Sequence, residues 1–166
     1  MVMSSWNTLR YFKKDSKTDK WGDADKMDSF LLLFLDELRE AIKTPLIVTS
    51  GYRKGDLGMH GLGRAVDVVA PRWEGSLFDL YLTAERFGFA GIGIYRDWVY
   101  DGKKTGGLHL DTRMILGSYK SEQLMGARWF CIRPGADKIA DVSEVLKIKQ
   151  VYLKLDHDTL KREGVI

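Results

Sequence analysis

The chain is poor in the residues that would staple, break or anchor it. Its 166 residues include one cysteine, three prolines and three histidines. A single thiol excludes an internal disulfide, and Cys131, set in Arg128-Trp-Phe-Cys-Ile-Arg133, is expected to be a buried structural thiol rather than a nucleophile. There is no internal repeat, low-complexity tract or linker rich in Pro, Gly or Ser, so one domain spanning residues 1–166 is expected. The longest apolar run, Phe30 to Leu35, is far short of the roughly 20 residues that span a bilayer, which excludes membrane insertion by a helix. The first ten residues lack the apolar core of a signal peptide, so synthesis as a soluble cytoplasmic chain is expected. Excess charge is also scarce: 26 Lys and Arg against 23 Asp and Glu leave a net charge of +3. That balance suits a solubilising surface or weak attraction to an anionic polymer, and lacks the dense basic stripe of a nucleic-acid binder.

What is present alternates between helical and strand-like patterns. Residues 6–21, with aromatics at Trp6, Tyr11, Phe12 and Trp21, read as an irregular arm packed on the domain. Met27, Phe30, Leu31, Phe34, Leu38 and Ile42 recur at three- and four-residue steps, which predicts an amphipathic helix over 25–43, capped by Asp25 or Asp23 and stopped by Pro45. Strands are expected at 46–50, 65–70, 91–95 and 108–112, with Trp98 to Tyr100 continuing the third after a bend, and a second helix over 76–86. The tail offers strands near 128–132 and 150–155 and a short helix near 158–162. Helices mixed with short, tightly looped strands indicate an α+β fold.

Two of the histidines keep unusual company. His60 opens His-x-x-Gly-x-Ala-x-Asp67, on a loop where Gly61 and Gly63 permit tight turns. Asp67 lies between Val66 and Val68 in a strand, so alternation turns it away from both. An acid there needs water, a cation or hydrogen-bond donors. In Gly107-Leu-His-Leu-Asp111, Leu108 and Leu110 point to the core, while His109 and Asp111 share the other face. Two imidazoles and one carboxylate, His60, Asp67 and His109, make a three-ligand zinc set with a fourth place for water, and Asp111 stands beside it as an acid–base group. Taken singly each histidine reads as an ordinary surface or core residue, and His157 keeps that reading. Gly61-Leu-Gly-Arg-Ala-Val66 begins like a dinucleotide loop, but the third glycine is missing and a strand follows where a helix is required.

Taken in order, Ser50-Gly-Tyr-Arg53, His60-x-x-Gly-x-Ala-x-Asp67, Gly91-Ile-Gly-Ile-Tyr95 and His109-Leu-Asp111 resemble the D-alanyl-D-alanine carboxypeptidase family of zinc peptidases, particularly its short bacterial and phage-borne branch. The resemblance covers about residues 6–113 and leaves a C-terminal extension at 114–166. It implies the hedgehog/DD-peptidase-like fold, a small antiparallel sheet with flanking helices. It implies Zn2+ held by His60, Asp67 and His109, and a peptidoglycan stem peptide as substrate, cleaved by a D,D- or L,D-carboxypeptidase or an endopeptidase. Arg53 matches an arginine that faces the substrate and would stabilise developing negative charge. The sequence departs from the pattern at Gly106, where many members carry a glutamate as general base, and at Gly58, where a serine is usual; the loop 54–59 is short. Asp111 is then nominated as the acid–base or metal-orienting residue. The alternatives are an inactive peptidase fold serving as a virion, structural or wall-binding protein, and a zinc hydrolase acting on another peptide or amide. A place of action at the cell wall, after release or carriage in a phage particle, follows from the same resemblance. Trp129, Phe130 and Arg133 are candidates either for a groove or for a core strand.

Overall fold

The computed structural model describes residues 5–113 and the backbone of two further strands at 127–131 and 137–140. The strand expected at 150–155, the helix at 158–162, His157 and the side chains of Trp129, Phe130, Cys131 and Arg133 lie outside the described residues.

Helix α1 spans Ser29–Ile42. Its cap is Asp28 rather than Asp23 or Asp25: the Asp28 carboxylate accepts from the Leu31 N–H at 3.0 Å, while its own backbone N–H donates to Gly63 O at 2.8 Å. Asp23 caps a separate 3-10 turn over Ala24–Lys26, and extended Met27 divides the two. Several aspartates offered themselves as caps, and the tertiary bond to Gly63 selects one. The helix buries Leu31, Leu32, Leu35, Leu38 and Ile42; Phe30, which fits the apolar repeat, is about half exposed. Lys43 ends the helix in the left-handed conformation, two residues before Pro45.

The strands are β1 (Ile47–Ser50), β2 (Ala65–Val69), β3 (Gly91–Tyr95), β4 (Val99–Tyr100), β5 (Lys103–Lys104), β6 (Gly107–Asp111), β7 (Ala127–Cys131) and β8 (Asp137–Ala140). Helix α2, Leu77–Ala84, carries a capping box between Ser76 and Asp79. Six strands form one sheet in the order β1-β2-β6-β3-β7-β8. All its pairings are antiparallel except β3 with β7, which is parallel. Val99 and Tyr100 do not continue β3; they pair with Lys103 and Lys104 in a separate two-stranded ribbon. The outcome is a mixed α+β fold.

The N-terminal arm completes the core and covers a sheet edge. Trp21 packs edge-on against Trp6 and Phe12, with ring centroids 5.0 and 5.6 Å apart. Buried Asp36 of α1 fixes the arm by accepting from the Arg10 and Tyr11 backbone N–H groups and from Arg10 Nε. On edge strand β1, the Val48 N–H donates to Asp19 Oδ1 and Val48 O accepts from Lys20 N, so backbone groups that would otherwise be unpaired are satisfied.

Alternation along the strands gives the sheet two unlike faces. Val48, Val66, Val68, Ile92, Ile94, Leu108 and Leu110 join the leucines of α1 in one buried core. The other face carries, in one row of paired residues, Ser50, Asp67, His109 and Gly93. The next row holds Ala65, Asp111 and Gly91. The expected sorting of Leu108 and Leu110 from His109 and Asp111 is therefore how this strand is built.

Candidate metal centre

Three elements deliver the three expected ligands. Asp67 and His109 are cross-strand partners on β2 and β6. His60 arrives from a 3-10 turn, His60–Leu62, that ends at Gly63 with φ of 68°. A Cβ on Gly63 would stand 1.8 Å from Lys26 O, so only glycine allows this turn to close on the chain entering α1.

His60 Nε2 lies 3.3 Å from His109 Nδ1 and 3.3 Å from Asp67 Oδ1, and His109 Nδ1 lies 3.1 Å from Asp67 Oδ1. The three atoms thus form a nearly equilateral triangle. The tautomers follow from what holds each ring from behind. His60 Nδ1 is 2.7 Å from Gly51 O, which can only accept, so the proton is on Nδ1 and Nε2 presents a lone pair. His109 Nε2 is 3.1 Å from Asp111 Oδ2, which likewise draws the proton to the far nitrogen. Three lone-pair donors packed this closely repel one another unless a cation or a proton lies among them. Zinc bonds of about 2.0–2.1 Å in a tetrahedron place neighbouring ligand atoms about 3.3 Å apart, so the donor set fits Zn2+ in number, kind and spacing. Among the described residues, this is the one group of three such side chains converging on a point.

Behind the triangle lies a second tier. Asp111 is fully buried, and its carboxylate takes the His109 N–H on one side and the Arg113 guanidinium on the other, with Arg113 Nη2 at 2.6 Å from Oδ2 and Nε at 2.9 Å from Oδ1. It stands on the side of the imidazole away from the triangle. Arg53 donates from Nη2 to Asp67 Oδ2 and from Nε to Ser50 Oγ at 2.8 Å. One oxygen of Asp67 thereby faces the triangle and the other is held by a cation. Arg53 remains nearly half exposed. At Gly106 φ is 62°, a left-handed conformation that makes any side chain there strained. Sequence reasoning did not single out Arg113, Gly91 or the Gly51 carbonyl. Arg113 lies beyond the end of β6, where strand alternation no longer applies, and the Gly51 carbonyl left no sequence signal.

Burial pushes the Asp67 carboxyl up, but in the metal-free protein the His109 and His60 rings, when protonated, hydrogen-bond to it and hold it well below the usual carboxylate range. Burial does the same to Asp111, and Arg113 and His109 outweigh it. For His109, burial pushes the imidazole down, while Asp111 and Asp67 raise it above 6.5. The two signs shape the pH dependence of the metal-free protein. The carboxylates contribute stability above about pH 3.8, and it is lost as pH falls below that value. The His109 contribution is complete below about pH 6.5 and is lost as pH rises through the raised folded value. The melting temperature in chelator is therefore expected to peak between these limits. With zinc the alkaline decline should vanish, because the metal requires the imidazole neutral. Thermal melts from pH 3 to 9 with and without zinc check this; identical profiles would contradict it.

The fold and the site together define a mixed α+β domain with a buried two-histidine, one-carboxylate cluster on one sheet face. Comparison with family models, curated proteins and solved structures returns no match.

Proposed function

We propose that the chain is a zinc-dependent peptidase acting on peptidoglycan stem peptides. The observation that carries the metal is the triangle of His60 Nε2, Asp67 Oδ1 and His109 Nδ1, with each imidazole's proton drawn to the opposite nitrogen. Three protein ligands, rather than four, are the usual number for catalytic zinc. The substrate class rests on the ordered motifs from Ser50 to Asp111. Bound there, zinc supplies Lewis acidity and lowers the pKa of a coordinated water.

The chain's own residues divide the remaining work. Arg53 holds Asp67 by its outer oxygen, and its exposed guanidinium edge offers charge to a substrate carbonyl or carboxylate. Asp111 acts as a positioning residue: braced by Arg113, it sets the tautomer and tilt of His109. Asp111→Asn is expected to lower zinc affinity about 10- to 100-fold while the protein stays folded. A zinc-competition titration with a chromophoric chelator checks it. Unchanged affinity with lost turnover would assign Asp111 to acid–base catalysis instead.

A second reading has its own support. Gly106, in a left-handed conformation, carries no general base, and Asp111 faces away from the triangle. A domain that keeps zinc for structure and binds wall material or assembles into a particle fits those two facts. Incubation of the zinc-loaded protein with purified sacculi separates the readings: release of new amino groups, abolished by chelation, supports the peptidase, and binding without release supports the inactive domain.

A further inference from the structure

The metal-bearing face of the sheet continues past His109 into an aromatic wall. On β6, Gly107 lies two residues before His109 and shares its face, a step of about 7 Å along the strand. A Cβ on Gly107 would stand 2.2 Å from Trp98 Cε3, so the indole occupies the place where a side chain at 107 would project. Tyr95, paired with Gly107 across β3 and β6, shares that face with Gly93. Its ring stacks on the indole with centroids 4.4 Å apart and planes 16° apart. The β4–β5 ribbon fixes the pair from behind, because Trp98 O accepts from the N–H groups of Thr105 and Gly106 at 3.1 and 3.0 Å. Between wall and metal, β3 carries glycine at 93, which projects no side chain onto that face.

We propose that Tyr95 and Trp98 form an apolar subsite that receives an aliphatic residue of the peptide next to the scissile bond. The inference rests on the peptidase reading only for the identity of that peptide. Half-buried stacked rings offer stiff apolar surface at low entropic cost. The subsite would grip substrate without touching the reacting atoms, so its loss should appear in KM and leave kcat alone.

The test uses the zinc-loaded full chain and a synthetic stem pentapeptide ending in two D-alanines. Trp98→Ala is expected to raise KM about tenfold with kcat within about twofold and zinc content unchanged. Trp98→Phe, which preserves packing over Gly107, should raise KM by a smaller factor and covers the case in which the alanine variant fails to fold. In the unaltered protein the Trp98 indole N–H resonance, assigned by its loss in Trp98→Phe, should shift on addition of the peptide. Turnover with an unmoved resonance and unchanged KM in both variants would overturn the subsite and leave the peptidase standing. A shifted resonance without turnover would overturn the peptidase and keep the subsite. Neither turnover nor shift would overturn both for this peptide.

Discussion

Gly91→Ala is expected to damage this protein severely, because the added methyl meets a buried charge. A Cβ at that position would lie 2.1 Å from Asp111 Oδ2, 2.4 Å from its Cγ and 2.5 Å from Oδ1. The carboxylate has nowhere to retreat, since His109 holds one side and Arg113 the other, and both strands lie inside the sheet. Overpacking costs about 1–3 kcal/mol, and separating a buried charge from its partners costs about 3–5 kcal/mol. A loss of about 3–5 kcal/mol is therefore expected, read as a fall in melting temperature of about 10 °C or more for a chain of this size. Zinc affinity should fall with it, because His109 loses the group that orients it. The double variant Gly91→Ala, Asp111→Ala should lose less than the sum of the two single variants, since the carboxylate that meets the methyl is gone. Strict additivity in thermal melts would show that the two residues do not compete for the same space.

His109→Ala removes a ligand outright and is expected to weaken zinc binding by more than about a hundredfold, given that even the groups behind a ligand are worth 10- to 100-fold. Turnover of a stem peptide should disappear with the metal. The fold should survive, because His109 lies on the polar face and Leu108 and Leu110 keep the core side of β6. The metal-free melting temperature should change far less than in Gly91→Ala. Isothermal titration with zinc and a melt in chelator separate the two effects. Retained zinc and retained turnover in this variant would remove His109 from the site.

These expectations show where the chain was readable. Asp67 and His109 could be placed from parity alone: each is a polar residue between two branched or leucine side chains, and a one-residue slip would bury the wrong set. His60 was flagged by its glycines, which do have steric work, as the contact of Gly63 with Lys26 demonstrates. The role of Gly91 was hidden, because a glycine in a strand gives no hint of which neighbour needs its space. The start of α1 was misplaced for a related reason: Asp23, Asp25 and Asp28 are equivalent to a local reading, and Gly63, some 35 residues later, decides among them. Val99 and Tyr100 carry strand-forming residues, but the turn at Asp101-Gly102, with both residues at positive φ, folds them onto Lys103 and Lys104 instead of extending β3. Arg53 carries an expectation about a substrate; its contacts to Asp67 and Ser50 belong to pairing across the sheet edge that spacing does not encode.

Zinc stoichiometry combined with X-ray absorption at the zinc edge probes the three-ligand triangle most directly. The expected result is one zinc per chain after dialysis, with two imidazoles and oxygen neighbours at about 2.0–2.1 Å and no sulfur. A protein that retains no zinc at micromolar concentration, or binds it with a shell lacking imidazole, would contradict it.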